Sequence, residues 1–308
     1  MPSTTSTAPT AASPSPNAAA PVPLPETATV RDALALAAAA GLPALEARLL
    51  LSHVTGLTRT QLITRDDETL APAQRDSVAA LLGRRLAGEP VAYLLGEREF
   101  FGRAFRVTRD VLIPRPDTEI AVEAALKLLA PLPAPRVLDM GTGSGALAVT
   151  LACERPDAEV WATDISPGAL QVAQDNARAL GAANVRFLAS DWYAALPDGL
   201  RFDLIVSNPP YIAAGDPHLG QGDLRFEPID ALTDHGDGLS DLGTIVAGAA
   251  ARLHAGGWLL MEHGYDQGQA ARDLLAAAGM AEIFTARDLA GHERCSGARL
   301  PTPAGAAA

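Results

Sequence analysis

The chain has 308 residues, 48% of them hydrophobic and 19% charged, and a formal net charge of −12 at pH 7, a globular composition with room for one large domain and one small one. The acidic balance argues against a protein that wraps nucleic acid through its phosphates. Two cysteines, Cys153 and Cys295, in no metal-type spacing rule out a disulfide framework and suit a reducing cytosol, and no uninterrupted apolar run reaches the roughly 20 residues of a bilayer span.

Residues 1–26 are mostly Ala, Pro, Ser and Thr with no basic residue before Arg31, so they lack the charged start of a secretory signal and read as a disordered tail. Residues 27–89 read as a small helical domain. Val30, Leu34 and Leu36 form a first stripe, Gly41-Leu42-Pro43 breaks it, and Leu45, Leu49, Leu50 and Val54 resume it. Pro72 opens another amphipathic helix with Val78, Leu81, Leu82 and Leu86 on one face. Nothing in this segment carries chemistry.

From residue 90 to 112 the texture changes to Tyr93, Phe100, Phe101, Phe105 and Val107 with turns at Gly96 and Gly102, which predicts a β-hairpin joining two domains. Arg75 to Arg115 holds eight arginines against five acids, either a solvated face or a docking surface for an acidic or RNA-like partner. The main domain is expected over 113–300, with 301–308 a second tail. It begins with Ile113-Pro114-Arg115-Pro116-Asp117-Thr118-Glu119, where Asp117 or Thr118 is placed to cap a helix running to Leu129.

Arg136 to Met140 reads as a strand, Gly141-Thr142-Gly143-Ser144-Gly145 as a glycine-rich turn, and Ala146 to Cys153 as a helix, the opening of a Rossmann-like unit. A second strand ends in Asp164, about 20 residues past the loop, where a carboxylate can accept from ribose hydroxyls. The glycines run G-x-G-x-G rather than G-x-G-x-x-G, and Asp139 stands beside them. That carboxylate would repel a pyrophosphate but suits a ligand with an ammonium or sulfonium charge, such as S-adenosylmethionine. After a further helix and strand, Asp191 can accept from an exocyclic amine and Trp192 can stack on adenine, plain core packing being the other reading of Trp192.

Phe202 to Ser207 reads as a buried central strand that stops at Asn208-Pro209-Pro210-Tyr211, because two prolines cannot donate to a ladder. Asn208 therefore sits at the carboxyl end of the strand, the edge where open α/β sheets bind ligands. Its carbonyl and the peptide oxygen of Pro209, held at a fixed distance by the diproline, can accept both N–H bonds of a planar NH2 group, and Tyr211 can cover that group. An ordinary strand-ending turn is the bland alternative. The loop from Ile212 to Asp241, rich in Gly, Asp and Pro, is placed to cover a substrate.

Four separated motifs in order, Pro90 to Gly96, Ile113 to Glu119, Asp139 to Gly145 and Asn208 to Tyr211, resemble the HemK/PrmC family of protein-(glutamine-N5) methyltransferases, and so do the later blocks at Glu227-Pro228, Asp237 to Leu239 and Glu262-His263-Gly264. The resemblance covers about residues 28–300 and departs from the family at Cys295, after Arg294, where an aliphatic residue is usual. It implies an α/β fold: a Rossmann-like class I methyltransferase sheet, with the helical domain docking the substrate. It implies S-adenosylmethionine as cofactor and class I peptide chain release factors as partners, methylated on the glutamine of their Gly-Gly-Gln loop in the cytoplasm, with no stable nucleic acid or membrane binding. By position, Asp139, Gly141 to Gly145, Asp164, Asp191, Trp192 and Asn208 would bind the cofactor, and Asn208, Pro209, Pro210 and Tyr211 the glutamine. The rival reading of the same Asn-Pro-Pro-Tyr is a nucleic-acid methyltransferase acting on adenine N6 or cytosine N4 of a flipped base.

Overall fold

A computed structural model describes residues 22–302 and divides the chain into two compact units that meet in sequence at Leu94 and Leu95. Most of the tail expected over 1–26, and residues 303–308 of the second tail, lie outside the described residues. Of the rest, residues 22–26 run without regular structure, and the Val22 N–H donates to the Ala79 carbonyl at 3.2 Å.

The first unit is helical: α1 (Val30–Ala39), α2 (Ala44–Thr55), α3 (Arg59–Thr64), α4 (Pro72–Leu86) and the short α5 (Val91–Leu95). Thr29 with Asp32 and Thr58 with Gln61 form capping boxes that satisfy the first free N–H groups of α1 and α3. The stripes differ from the expected ones. Val30, Ala33 and Ala37 are the buried face of α1, and Ala47, Leu50 and Leu51 that of α2, whereas Leu45 and Leu49 are exposed. Alanines let these helices approach closely, and small residues leave only a faint hydrophobic period in the sequence. The hairpin expected over 90–112 is also shorter: Val91–Leu95 is helical, and only β1 (Glu97–Phe100) and β2 (Arg103–Arg106) pair, antiparallel. Phe100 and Phe105 meet edge to face and are buried in the second unit's core, so the hairpin is part of that unit.

The second unit continues with α6 (Glu119–Leu129), β3 (Arg136–Met140), α7 (Ala146–Glu154), β4 (Glu159–Asp164), α8 (Pro167–Leu180), β5 (Val185–Ala189), β6 (Phe202–Ser207), α9 (Ser240–Arg252), β7 (Leu253–Glu262), α10 (Gly268–Ala277), β8 (Ala281–Arg287) and β9 (Glu293–Arg299). Seven strands form one sheet in the order β5-β4-β3-β6-β7-β9-β8. The first five are parallel, and β9 runs antiparallel to both of its neighbours. Alternation along β3 and β6 serves two cores: Val137, Leu204 and Val206 pack with α6 and α7 on one face, and Leu138, Met140 and Ile205 with α9 on the other. The strand order reverses between β3 and β6, so the crevice of this doubly wound sheet opens at their carboxyl ends.

Six of the eight arginines between Arg75 and Arg115 are held in ion pairs: Arg75 with Asp76, Arg84 with Glu89, Arg85 with Glu46, Arg103 with Glu154, Arg106 with Asp175 and Arg115 with Glu227. Partners within the protein thus answer much of the local positive charge.

Candidate active site

A cavity of about 660 Å³ opens at the switch point of the sheet. Asp139, Gly141 to Ser144, Asp164, Asp191 and Trp192 line one part of its wall, and Thr118, Asn208 and Pro210 another. The stretch from Pro228 to His235, in the long loop expected to cover a substrate, supplies Pro228, Asp230, Ala231, Thr233, Asp234 and His235. A second hollow of about 770 Å³, beside α6 and β8, contains none of the residues of the glycine loop or of Asn-Pro-Pro-Tyr.

The glycine turn follows β3 directly. Gly141, Gly143 and Gly145 all have positive φ, a backbone that side chains resist. Gly145 serves packing rather than the cavity wall: a Cβ there would meet Val149 at 3.0 Å and Ala173 at 3.1 Å, so glycine brings α7 against α8. The turn is tied to β4 by Asp164, whose carboxylate accepts from the Gly143 N–H and the Ser166 N–H, both at 2.9 Å. Burial raises the Asp164 pKa above the usual range.

Asp139 is 1% exposed. Its Oδ2 accepts from the Thr142 hydroxyl at 2.7 Å and the Ala148 N–H at 3.1 Å, while Oδ1 has no protein partner. Burial pushes its pKa to about 7 against those two donors. A buried acceptor without a donor costs about 1–3 kcal/mol, so on the cavity wall Oδ1 is suited to a ligand that brings an N–H or a positive charge.

Trp192 has φ of +44°, half-buried, with its ring in the core that also holds Leu138 and Met140 and within 4 Å of the position a Cβ on Gly141 would take. The turn around it is held by Ser190, which donates to the Trp192 carbonyl at 2.9 Å and accepts from the Ala195 N–H at 3.0 Å. The two readings of Trp192 thus merge in one ring that belongs to the core and to the cavity wall. Asp191 beside it is exposed.

At the end of β6, Ser207 donates to the Met140 carbonyl at 2.7 Å and fixes the spacing between the two strands. Asn208 Nδ2 then donates to the Thr118 hydroxyl at 3.1 Å, leaving the carbonyl Oδ1 as the acceptor. Thr118 therefore does not cap α6, as the sequence suggested; it accepts from Asn208, and Asp117 pairs with Arg294 at 3.0 Å. Pro209 is buried, and neither it nor Tyr211 is on the cavity wall. The Tyr211 hydroxyl donates to Glu262 Oε1 at 3.3 Å, and burial pushes its pKa up. The Tyr211 carbonyl accepts from Gln267 Nε2 at 2.9 Å.

Three groups were read in the sequence only as a cap or as parts of family blocks, without the roles that the structure gives them. Thr118 was legible only as a cap. Glu262 ends the apolar strand Trp258-Leu259-Leu260-Met261, a buried carboxyl whose position was the available signal. Glu227 is buried, pairs with Arg115 and accepts from the Ile113 N–H at 2.9 Å, tying the cavity-covering loop to the segment before α6.

Residues 30–96 match the family described as the PrmC N-terminal domain, and residues 118–221 the methyltransferase small domain. The chain is 59% identical over 268 residues to a protein of Burkholderia pseudomallei named release factor glutamine methyltransferase, covering 85% of this chain and 94% of that one. It is 59% identical over 260 residues to the protein of that name from Bordetella pertussis, covering 84% and 96%. Among solved structures, the hMettl16 catalytic domain in complex with the MAT2A 3'UTR hairpin 1 aligns over 73% of this chain and 82% of its own, with TM-score 0.54 at 15% identity, a likeness of fold.

Proposed function

This chain belongs to the release factor glutamine methyltransferases of the HemK/PrmC family, and from that premise we propose how its site works. The enzyme transfers a methyl group from S-adenosylmethionine to the side-chain amide nitrogen, N5, of the glutamine in the Gly-Gly-Gln motif of class I peptide chain release factors. The observation that carries the reading is Asn208, held at the carboxyl end of β6 with its NH2 committed to Thr118 and its Oδ1 left as an acceptor.

Bound S-adenosylmethionine supplies a methyl on a sulfonium, an electrophile that needs no base before attack. The residues present fit such a ligand. Asp139 Oδ1 lacks a donor and faces no protein cation, which suits an ammonium. Asp164 spends one bond on each oxygen and retains lone pairs for ribose hydroxyls, and Gly141 and Gly143 leave the backbone open to close approach. Trp192 offers a ring face and Asp191 an exposed acceptor for adenine.

An amide nitrogen is a poor nucleophile because its lone pair is delocalised into the carbonyl. Asn208 Oδ1 would accept one of its N–H bonds and the Pro209 carbonyl, off the cavity wall in the protein without ligands, the other once substrate reaches the turn, leaving the lone pair toward the methyl. The N–C bond that forms would replace the sulfonium S–C bond, a neutral thioether would leave, and the nitrogen would release one proton to water. Holding two reactants in a near-attack arrangement supplies about 7–11 kcal/mol, and dipoles aimed at the developing charge about 2.7–4 kcal/mol more per donor or acceptor lost. Pro210 shapes the wall beside the amide, and Tyr211 anchors the turn through its hydroxyl.

We assign docking of the release factor to the helical unit, where Leu45 is 50% and Ile63 65% exposed, apolar surface of the kind a partner covers. Among the described residues no helix is long and apolar enough to cross a membrane, and a role in translation termination supports the reading of a cytoplasmic enzyme. The test is transfer of labelled methyl from S-adenosylmethionine to a purified release factor, to a copy whose Gly-Gly-Gln glutamine is replaced, and to duplex DNA. Label on the intact factor alone is expected; label on DNA and on neither factor would hand the site to base methylation.

A further inference from the structure

Asn176 is a polar residue on the buried face of α8, where Ala169, Val172, Ala173 and Ala177 are its neighbours, and it is 2% exposed. A buried amide on an apolar stripe calls for partners, and this one has three. Its Oδ1 accepts from the Arg106 N–H at 2.7 Å, and its NH2 donates to the Arg106 carbonyl at 3.0 Å and to the Ser144 carbonyl at 2.8 Å. The surroundings therefore ask for one acceptor and two donors. A side-chain amide supplies that set on one planar group; a carboxylate, a hydroxyl or a hydrocarbon does not.

Those partners belong to two pieces of the cavity wall. Ser144 is in the glycine turn, and the peptide between Ser144 and Gly145 is held at both polar atoms: the Gly145 N–H donates to the Thr142 carbonyl at 2.8 Å, and the Ser144 carbonyl accepts from Asn176. Gly145 has φ of +83°, so the path of the turn depends on how that peptide plane is set. Arg106 ends β2, and the chain that leaves it carries Asp110, Val111 and Leu112 onto the wall. Asp110 packs where α8 begins, since a Cβ on Gly168 would fall 3.0 Å from its carboxyl carbon.

We propose that Asn176 is a positioning residue for the cofactor: through one amide it fastens the backbone of β2 to the glycine turn, so that the turn and the wall segment after the hairpin form one binding surface. This rests on the reading of that surface as the S-adenosylmethionine site and adds to it a residue that is not on the cavity wall. An aspartate at 176 keeps an acceptor for the Arg106 N–H, but its second oxygen faces two carbonyl oxygens. Protonation of that carboxyl restores one of the two donors.

The test uses the full chain with N176D, N176L and D175N, the last of which removes the ion pair of Asp175 with the Arg106 guanidinium, 2.6 Å long, and leaves the Asn176 amide in place. Calorimetry should show S-adenosylmethionine bound roughly tenfold to a hundredfold more weakly by N176L, and by N176D at pH 8, as when groups that orient a site from behind are removed elsewhere, with kcat at saturation within about threefold. D175N should stay within about twofold of wild type, because exposed ion pairs contribute little. The Kd of N176D divided by that of wild type should shrink from pH 8 to pH 6 as the new carboxyl takes up its proton, and the ratio removes the pH dependence that Asp139 gives to both proteins. In the protein without ligands, backbone hydrogen exchange should quicken in 103–106 and 141–146 together in N176D and N176L. A ratio level across that pH range, or faster exchange in β2 with the glycine turn unchanged, would overturn the proposal, and N176D alone decides it if N176L does not fold. If wild type bound no S-adenosylmethionine, the cofactor reading would fall, while exchange in the ligand-free chain would still decide whether Asn176 holds the turn.

Discussion

Two buried carboxyls stand at the same edge of the sheet, Asp139 near the end of β3 and Glu262 at the end of β7, and they are alike in isolation and unlike in surroundings. Each is nearly inaccessible, each has one oxygen without a partner, and burial pushes each to a pKa of about 7. Asp139 lies on the cavity wall, so its free oxygen can be answered by a ligand. Glu262 is off that wall, and its Oε1 accepts from the Tyr211 hydroxyl at 3.3 Å. The same desolvation cost thus serves opposite ends: one carboxyl waits for charge from outside, the other orders groups inside. The comparison predicts that damage beside Asp139 appears in cofactor binding, and damage beside Glu262 in turnover.

The largest effect is expected at the acceptor itself. Asn208→Ala should lower kcat about 100- to 1,000-fold, the cost typical of losing one preorganised dipole, while calorimetry shows the Kd of S-adenosylmethionine changed by less than about threefold. Equal losses in both would erase the division between the two halves of the site. Asp139→Asn should do the reverse, weakening S-adenosylmethionine about 10- to 150-fold, the equivalent of one hydrogen bond to a charged group, with a smaller change in turnover at saturation. Because a positive ligand favours the ionised carboxyl, wild-type affinity should rise between pH 6 and pH 8 around the pKa near 7, and the Asp139→Asn variant should lose that dependence. A wild-type binding curve flat across this range would show that Asp139 does not meet the charge.

Stability gives a third, independent reading of the same residue. The folded pKa of Asp139 is raised above the unfolded value near 3.9, so its contribution is fully present below that value and is lost as pH rises through about 7. In the protein without ligands, the Tm of Asp139→Asn minus that of wild type should therefore increase from pH 5 to pH 8. His263, whose pKa burial lowers, works in the opposite sense, which is why the difference between variants and not the raw Tm is the quantity to follow. A difference that stays level would place the titration of Asp139 outside this window.

What was legible in the sequence follows the same division. The half of the site proposed for the cofactor is written locally: Asp139, the glycines and Asp164 fall in one strand-turn-helix-strand run, and their spacing pointed to the proposed chemistry. Asn208 was legible because two prolines end its strand. Its supports were not, since Thr118 lies 90 residues away in sequence and Glu262 is 51 residues from Tyr211, and no local pattern joins them. Thr118 followed by a helix reads as a cap until the fold supplies a better use for its hydroxyl. In the helical unit the error had a different cause: α1 and α2 pack through Ala33, Ala37 and Ala47, so the leucines at 45 and 49 that dominate the hydrophobic pattern are free to face solvent.

The smallest effect tests whether the turn after Asn208 is held by its backbone as well as by Tyr211 and Glu262. Gln267 Nε2 donates to the Tyr211 carbonyl at 2.9 Å and the Gly238 carbonyl at 3.2 Å, and its Oε1 accepts from the Gly264 N–H at 2.8 Å. Gly238 has no room for a side chain here, since a Cβ would fall 2.4 Å from the Tyr211 carbonyl. Gln267→Ala frees three backbone groups that are only half-buried, so water recovers part of the loss and the cost should be about 1–2 kcal/mol, with a fall in Tm of about 3 °C per kcal/mol. Gln267→Glu keeps the shape but turns both donors into acceptors against two carbonyl oxygens, so it should be worse than alanine in Tm and in turnover. If glutamate is tolerated better than alanine, the amide at 267 is not what holds the Tyr211 peptide, and the geometry of Asn208 depends on Thr118 and Glu262 alone.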